Sequence, residues 1–307
     1  MKYDVRNAFV RGLYEQMEVD KDTVLLTADL GWNSFDQIRR KYPDQFVNLG
    51  LAEQAMAGVS AGMSKMGKNV FIYSIIPFLL YRAFEQIRND ICYPDLAVRL
   101  VGTGAGFAYG AAGSTHHPFE DLRIVAALPN IVVLNPSDPN EVELFLKKTK
   151  EVKHPLYMRI GRNGEPIVHQ KHNKIVIGEA LKLTKGEDVL IISTGLVTKL
   201  ALEVSEILNS RNEIAEVLEI HTFKPFDDET VKKEAEGKRL VVTIEDNNGA
   251  LEERVAISLV NTNGKSKFLS FKVPNQFAHI SAKSDYILGS YGINTPNITN
   301  QIKRALK

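Results

Sequence analysis

Short, mostly apolar runs alternate along this chain with stretches at helical spacing, and that alternation leaves few folds open. In the first half the runs are Thr23–Ala28, Phe46–Leu49, Asn69–Tyr73, Ala97–Val101, Ile131–Leu134 and Leu156–Ile160. A strand that is apolar at successive positions must be buried on both faces. The intervening patterns predict helices over Val5–Met17, where Val5, Ala8, Phe9, Leu13 and Met17 fall at helical spacing, and at about 53–65, 79–91, 120–127 and 139–149. The order implies an α/β fold, a mainly parallel sheet covered by helices. Loops leaving the C-terminal strand ends are then the expected ligand sites.

Between Gly161 and Lys174 the pattern lapses into Gly, Asn, Pro, His and Lys, a predicted linker. It resumes with Gly178–Leu183, runs at Asp188–Thr194, Ala215–Glu219, Arg239–Ile244 and Lys267–Phe271, and helices at about 198–209 and 250–261. A last helix is expected with Thr295 as N-cap and Pro296 at its first position. The expectation is two α/β domains, residues 1–168 and 175–307; a chain of 307 residues can give each a sizeable core.

Thirty-eight Lys and Arg against 37 Asp and Glu give a net charge of +1, with no polyelectrolyte signal for nucleic acid or membrane. The longest apolar run, Val70–Leu80, is too short to span a bilayer and contains Tyr73, Ser74 and Pro77. Cys92 is alone, so no disulfide forms within the chain, and the first residues lack the apolar core of a signal peptide. A cytoplasmic protein is expected.

Gly50-Leu-Ala-Glu-Gln-Ala-Met-Ala-Gly-Val-Ser-Ala-Gly62 opens a helix of small residues behind the Phe46–Leu49 run. Gly58, Ala61 and Gly62 strip away bulk, so a backbone or a flat ligand can approach. Glu53 falls in the first turn, where an acidic side chain also simply favours the helix dipole. Residue type alone leaves both readings open.

The segment resembles the glutamate motif of the pyrimidine-binding domain in transketolase-type thiamine diphosphate enzymes. Other stations follow in order: Ala28-Asp29-Leu30, Phe78 and Tyr81 before Arg82-Ala-Phe-Glu-Gln-Ile-Arg88, Thr115-His116, Leu128-Pro-Asn-Ile131, Asn135-Pro-Ser-Asp138, Arg159-Ile-Gly-Arg162, Ile192-Ser-Thr-Gly195, Lys224-Pro225 and Val242-Thr-Ile-Glu245. Together they cover nearly the whole chain as the pyrimidine and C-terminal domains of a transketolase. The resemblance implies that Glu53 holds N1′ of the aminopyrimidine and favours the tautomer that deprotonates the thiazolium. It implies that Phe78 stacks on the pyrimidine, that Tyr81 closes the pocket, and that Gln86 and Arg88 serve a dimer contact. Thiamine diphosphate is the implied cofactor, with the carbon chemistry its own. By the same resemblance His116 contacts the substrate oxygen; His117 stands where the family usually has glutamine, leaving open which of the two faces the substrate. Arg6 and Arg162 match phosphate-holding positions. Each also has a plain reading: a core Phe, a loop His bonded to backbone, solvated Arg side chains.

Two departures shape the expectation. There is no Gly-Asp-Gly, the motif that places diphosphate and Mg²⁺ in full-length transketolases. A separate subunit carrying that motif is therefore expected as partner, in an α2β2 assembly, with no metal ligands from this chain. Gly104 and Ala111-Ala112 replace a histidine and an acidic pair that contact sugar hydroxyls or phosphate in the family, and Glu245–Leu251 lacks the usual histidine and paired glycines. A specialised two-carbon transfer fits better than ordinary pentose-phosphate chemistry. The alternatives are the β chain of a 2-oxoacid dehydrogenase E1 component, a decarboxylating synthase of the deoxyxylulose phosphate kind, and a non-catalytic regulatory subunit. Gly102-Thr-Gly-Ala-Gly106 lacks the spacing and the distal acidic residue of a dinucleotide site.

Overall fold

The computed structural model describes residues 3–31, 33–169, 174–210, 215–260 and 266–307. Trp32 and residues 170–173 of the predicted linker lie outside that set, as does residue 261 of the helix expected over 250–261. The chain forms two compact units. One comprises Met1–Ala105, Arg123–Leu134 and Asp138–Lys174, the other Gly106–Leu122, Asn135–Ser137 and Ile175–Lys307.

In the first unit β1 (Thr23–Thr27), β2 (Phe46–Asn48), β3 (Asn69–Ile75), β4 (Val98–Thr103), β5 (Val132–Leu134) and β6 (Leu156–Ile160) lie in the order β5-β6-β4-β3-β1-β2, and every neighbouring pair is parallel. All residues of β1, β4, β5 and β6 are buried, which is why they read as mostly apolar runs, with Arg99 of β4 and Arg159 of β6 buried among them. The order reverses between β1 and β3, so the loops after these two strands flank the crevice where an open parallel sheet receives ligands.

Helix α1 (Val5–Val19) starts on Asp4, whose carboxylate accepts the Asn7 N–H at 2.9 Å. Its buried stripe includes Val5, Ala8, Phe9, Leu13 and Met17, the residues picked out by their spacing. Phe9 stacks on Tyr73 with centroids 5.7 Å apart, and Phe35 meets Tyr73 edge-on at 4.9 Å. Such pairs add about 0.5–1.5 kcal/mol each beyond area burial, and they brace the C-terminal half of β3. Short α2 (Asp36–Lys41) and then α3 (Glu53–Lys65) follow β1 and β2.

The predicted helix at 79–91 is broken. Pro77–Tyr81 and Ile87–Cys92 are π-helical turns on either side of a three-residue α4 (Phe84–Gln86). Each wide turn shifts the side chains after it around the axis, which an apolar pattern does not reveal. Helix α5 (Asp121–Ala126) precedes β5, and α6 (Pro139–Lys148) starts on Asp138, which accepts the Glu141 N–H at 2.8 Å with Pro139 at N1. Asp138 also accepts from Val168 N and His169 N at 2.8 and 2.6 Å. The Asn135-Pro-Ser-Asp138 turn thus has a capping role.

In the second unit β7 (Leu181–Lys182), β8 (Val189–Ser193), β9 (Ala215–Glu219), β11 (Leu240–Ile244) and β12 (Lys267–Phe271) form a sheet ordered β12-β11-β8-β9-β7, with β10 (Thr222–Lys224) following β9 in the chain. Only β7 is antiparallel. Helices α7 (Thr198–Asn209), α8 (Asp228–Ala235), α9 (Ala250–Val260), α10 (Ser284–Ser290) and α11 (Thr295–Leu306) complete it. The cap of α11 corrects one expectation. Asn294, extended at φ −152° and ψ 155°, accepts the Asn297 N–H at 3.0 Å, so Thr295 is the first helical residue rather than the N-cap. Both residue types cap well, and Thr295 instead donates to Glu203 at 3.2 Å.

Fully buried Glu245, directly after β11, accepts the N–H groups of Leu251 and Glu252 at 2.9 Å each and so closes the start of α9. Burial, aided by the charges of Asp246 and Glu252, pushes its pKa up to about 7 against the pull of those two N–H donors.

Candidate cofactor site

Loops at the C-terminal ends of β2, β3 and β6 carry the predicted Glu53, Phe78, Tyr81 and Arg162, whereas Arg6 lies at the start of α1. Behind β2, Gly50 and Leu51 lead into α3, and Glu53 is its first residue. The Glu53 side chain is only 3% exposed, with the positive end of the helix at its back. Behind β3, Phe78 and half-buried Tyr81 lie in the π-helical turn Pro77–Tyr81, and Arg82 ends that turn.

Arg82 joins the two loops. Its Nη1 donates to both Glu53 oxygens, at 3.2 and 3.3 Å, and its guanidinium carbon stands 4.1 Å from the centre of the Phe78 ring. A flat, nitrogen-bearing cation therefore lies on an aromatic face while it meets a buried carboxylate. In shape and chemistry it stands in for a protonated aminopyrimidine edge, so Phe78 and Glu53 suit such a ring. The small residues of α3 contribute less than expected: only the Asp90 carboxylate comes near Gly58, 3.8 Å from where a Cβ would sit, and nothing comes within 4 Å of the corresponding point on Gly62.

Arg6, in the first turn of α1, and exposed Arg162, after β6, are brought to one corner by Glu165. Its carboxylate accepts Val5 N at 3.4 Å and Arg162 N at 2.7 Å. Burial raises the Glu165 pKa, opposed by these backbone donors.

The two histidines belong to the second unit, on the segment Gly106–Leu122. They are not equivalent. His117 is buried, its Nε2 is 3.1 Å from the Gly110 carbonyl, and its ring meets Phe107 edge-on at 5.1 Å. Burial lowers its pKa, against the Gly110 and Tyr109 carbonyls, so the neutral imidazole is favoured. His116 is half-buried, with Nδ1 2.9 Å from Thr115 Oγ and its ring 5.8 Å from that of Tyr109.

The segment that carries them is fastened along its length. Phe107 and Phe119 enter the core around β8 and β11. Ser114 Oγ donates to the Ala278 carbonyl and Ser281 Oγ to the Ala111 carbonyl, both at 2.7 Å. Asn247 Nδ2 donates to Asp121 at 2.9 Å, and Asn248 N to the Phe119 carbonyl at 2.8 Å. Gly106 has φ +54°, and a Cβ on it would lie 2.3 Å from an Asp246 carboxylate oxygen. Sequence reasoning missed Arg82, Asp121 and Asn247 as site-building residues; for Arg82 the signal was available, four residues past an aromatic at the mouth of a loop.

A doubly parallel α/β chain with a buried helix-start glutamate and a facing aromatic has the layout of the thiamine diphosphate enzymes. Residues 1–165 match the family model "Transketolase, pyrimidine binding domain" and residues 178–298 match "Transketolase, C-terminal domain". This chain belongs to the transketolase family, a family of thiamine diphosphate-dependent transferases. It is 35% identical over 99% of its length to a Methanocaldococcus jannaschii protein described as "Putative transketolase C-terminal section", of which it covers 96%. It is 32% identical over 79% of its length to one of the apulose-4-phosphate transketolase subunits of Phocaeicola vulgatus, covering 78% of that protein. Among solved structures it superposes on a "Split gene transketolase, inactive beta4 tetramer" with TM-score 0.88 and 31% identity, over 100% of this chain and 99% of that one. Among the described residues no helix is long and apolar enough to cross a membrane.

Proposed function

We propose that this chain is the pyrimidine-binding subunit of a split, transketolase-like enzyme that moves a two-carbon ketol unit between sugar-type substrates. The observation that carries the reading is the buried Glu53 carboxylate met by a flat cation on the face of Phe78. When bound, thiamine diphosphate supplies the nucleophilic carbon that accepts and releases the two-carbon unit. Buried Glu53 would hold the ring nitrogen and share its proton, Phe78 would fix the ring plane, and Tyr81 would border the pocket. His116, the more exposed histidine, attends the substrate oxygen, and buried His117 supports its segment. Arg6 and Arg162 hold an anionic end of the substrate. Along the chain, residues 1–168 serve as the pyrimidine domain and 175–307 as the C-terminal domain.

Activity requires a second subunit that supplies the diphosphate and Mg²⁺ site, in an α2β2 assembly within the cytoplasm. The absent Gly-Asp-Gly supports this, as does the description of a similar split-gene chain, assembled only with itself, as an inactive tetramer. The substrate is a specialised sugar. Gly104 has φ +95°, and its N–H, like that of Ala105, donates to the Ile160 carbonyl; a histidine there would be strained, so the family's contact is not restored by a small shift.

Calorimetry tests the reading, with thiamine diphosphate and Mg²⁺ titrated into this chain alone and into its complex with a co-purifying α/β partner. No heat from the chain alone and tight binding by the complex are expected. Tight, Mg²⁺-dependent binding by the isolated chain overturns the split site. Turnover of the complex with 2-oxoacids and not with ketose phosphates overturns the transketolase assignment in favour of an E1-type enzyme.

A further inference from the structure

We propose that Arg82 is a displaceable occupant of the cofactor site: in the free chain its guanidinium holds the place, between the Phe78 ring and the Glu53 carboxylate, that the aminopyrimidine takes on binding. The inference rests on the assignment of Glu53 and Phe78 to that ring.

The two ends of the contact differ in what they can tolerate. Glu53 is 3% exposed, whereas the Arg82 side chain is 51% exposed. A carboxylate buried without a partner is costly, so a site that simply emptied would destabilise the chain. Arg82 removes that cost with its charge and lies over the aromatic face, its guanidinium carbon 4.1 Å from the ring centre. Half in water, the same guanidinium recovers its hydration as it leaves, and the incoming ring takes over the buried carboxylate, so the exchange leaves no charge unpaired. Arg82 thus satisfies the two criteria of a place-holder: it matches the incoming group at both surfaces, and it has solvent to retreat into.

Local geometry keeps it poised. Arg82 follows the π-helical turn Pro77–Tyr81, with φ −71° and ψ −37°, four residues after Phe78. Withdrawal requires only side-chain rotation, with the backbone of the turn unchanged. A lysine at this position would keep the charge against Glu53 but lose the planar cover on Phe78.

The test uses the complex of this chain with its partner subunit. Calorimetric titration of thiamine diphosphate at saturating Mg²⁺ compares wild type, Arg82→Lys and Arg82→Ala, and the Arg82 Nε–Hε resonance is followed in ¹⁵N-arginine-labelled wild-type protein. Without the competing guanidinium, Arg82→Ala should bind the cofactor about three- to tenfold more tightly, with Arg82→Lys between it and wild type. The Arg82 resonance, shifted upfield by the Phe78 ring in the free complex, should move to the position of a solvated arginine as cofactor is added. Unchanged affinity with an unmoved resonance makes Arg82 a permanent tie and overturns the proposal. Weaker binding by Arg82→Ala overturns it as well, because Arg82 would then assist the bound ring. If the wild-type complex binds no thiamine diphosphate, the cofactor assignment itself fails and the proposal falls with it.

Discussion

Asn247 Nδ2 donates to Asp121 Oδ1 over 2.9 Å, both side chains fully buried, and this bond ties the histidine-bearing segment to the loop after β11. A hydrogen bond to a charged group contributes about 1.5–3 kcal/mol, and Asn247→Ala should lose about that much stability by urea unfolding. Amide exchange over residues 106–122 should accelerate in the same variant. Exchange unchanged in that segment would mean that Phe107, Phe119 and the other hydrogen bonds along it suffice to hold it.

Glu53→Gln removes the shared proton while keeping shape and burial. Turnover of the complex should fall by at least about a hundredfold, the usual scale of a lost acid–base group, with the circular dichroism spectrum unchanged. Activity within a few-fold of wild type would remove Glu53 from the chemistry.

Gly106→Ala should cost at least about 1–2 kcal/mol, because L-residues pay that much for a left-handed backbone. The new methyl also meets the Asp246 carboxylate, whose oxygen lies 2.3 Å from the ideal Cβ position. Equilibrium unfolding measures the loss; a neutral variant would show that the turn can relax without its glycine.

The buried Glu245 makes stability depend on pH. Its pKa is raised from 4.5 to about 7 in the folded chain. Between those values the native state holds a proton that the unfolded state releases, so stability from this group is complete below pH 4.5 and declines as pH rises through 7. The full effect is on the order of 3 kcal/mol. Glu245→Gln should flatten the fall in urea midpoint between pH 5 and 8, and an unchanged slope would assign it to other groups.

Where burial dictates residue type, the fold was legible. Strands such as Val189–Ser193 and Leu240–Ile244, buried at every position, are apolar at all but one residue each, and α1 shows its core stripe at helical spacing. The placement of Glu53 at a helix start behind a short strand was legible, because the Phe46–Leu49 run and the small-residue pattern agree. What escaped was set by geometry that residue type does not encode. The π-helical turns around α4 keep an apolar pattern while rotating it, and Asn294 and Thr295 are equally good caps, chosen between by the surrounding contacts. Arg82 reads as one basic residue among many until its guanidinium is seen over the Phe78 ring. The segment 106–122 precedes the linker in sequence yet packs with residues that follow it, because Phe107 and Phe119 find their core partners there.

That packing bears on how such a gene can be divided. Cutting between residues 169 and 175 would deprive the second unit of Gly106–Leu122 and Asn135–Ser137, and with them two aromatic side chains of its core and the Asp121 carboxylate that accepts from Asn247. Fission inside this pair of domains would therefore produce a C-terminal fragment with a hole where its own residues belong. The two domains therefore belong together on one polypeptide.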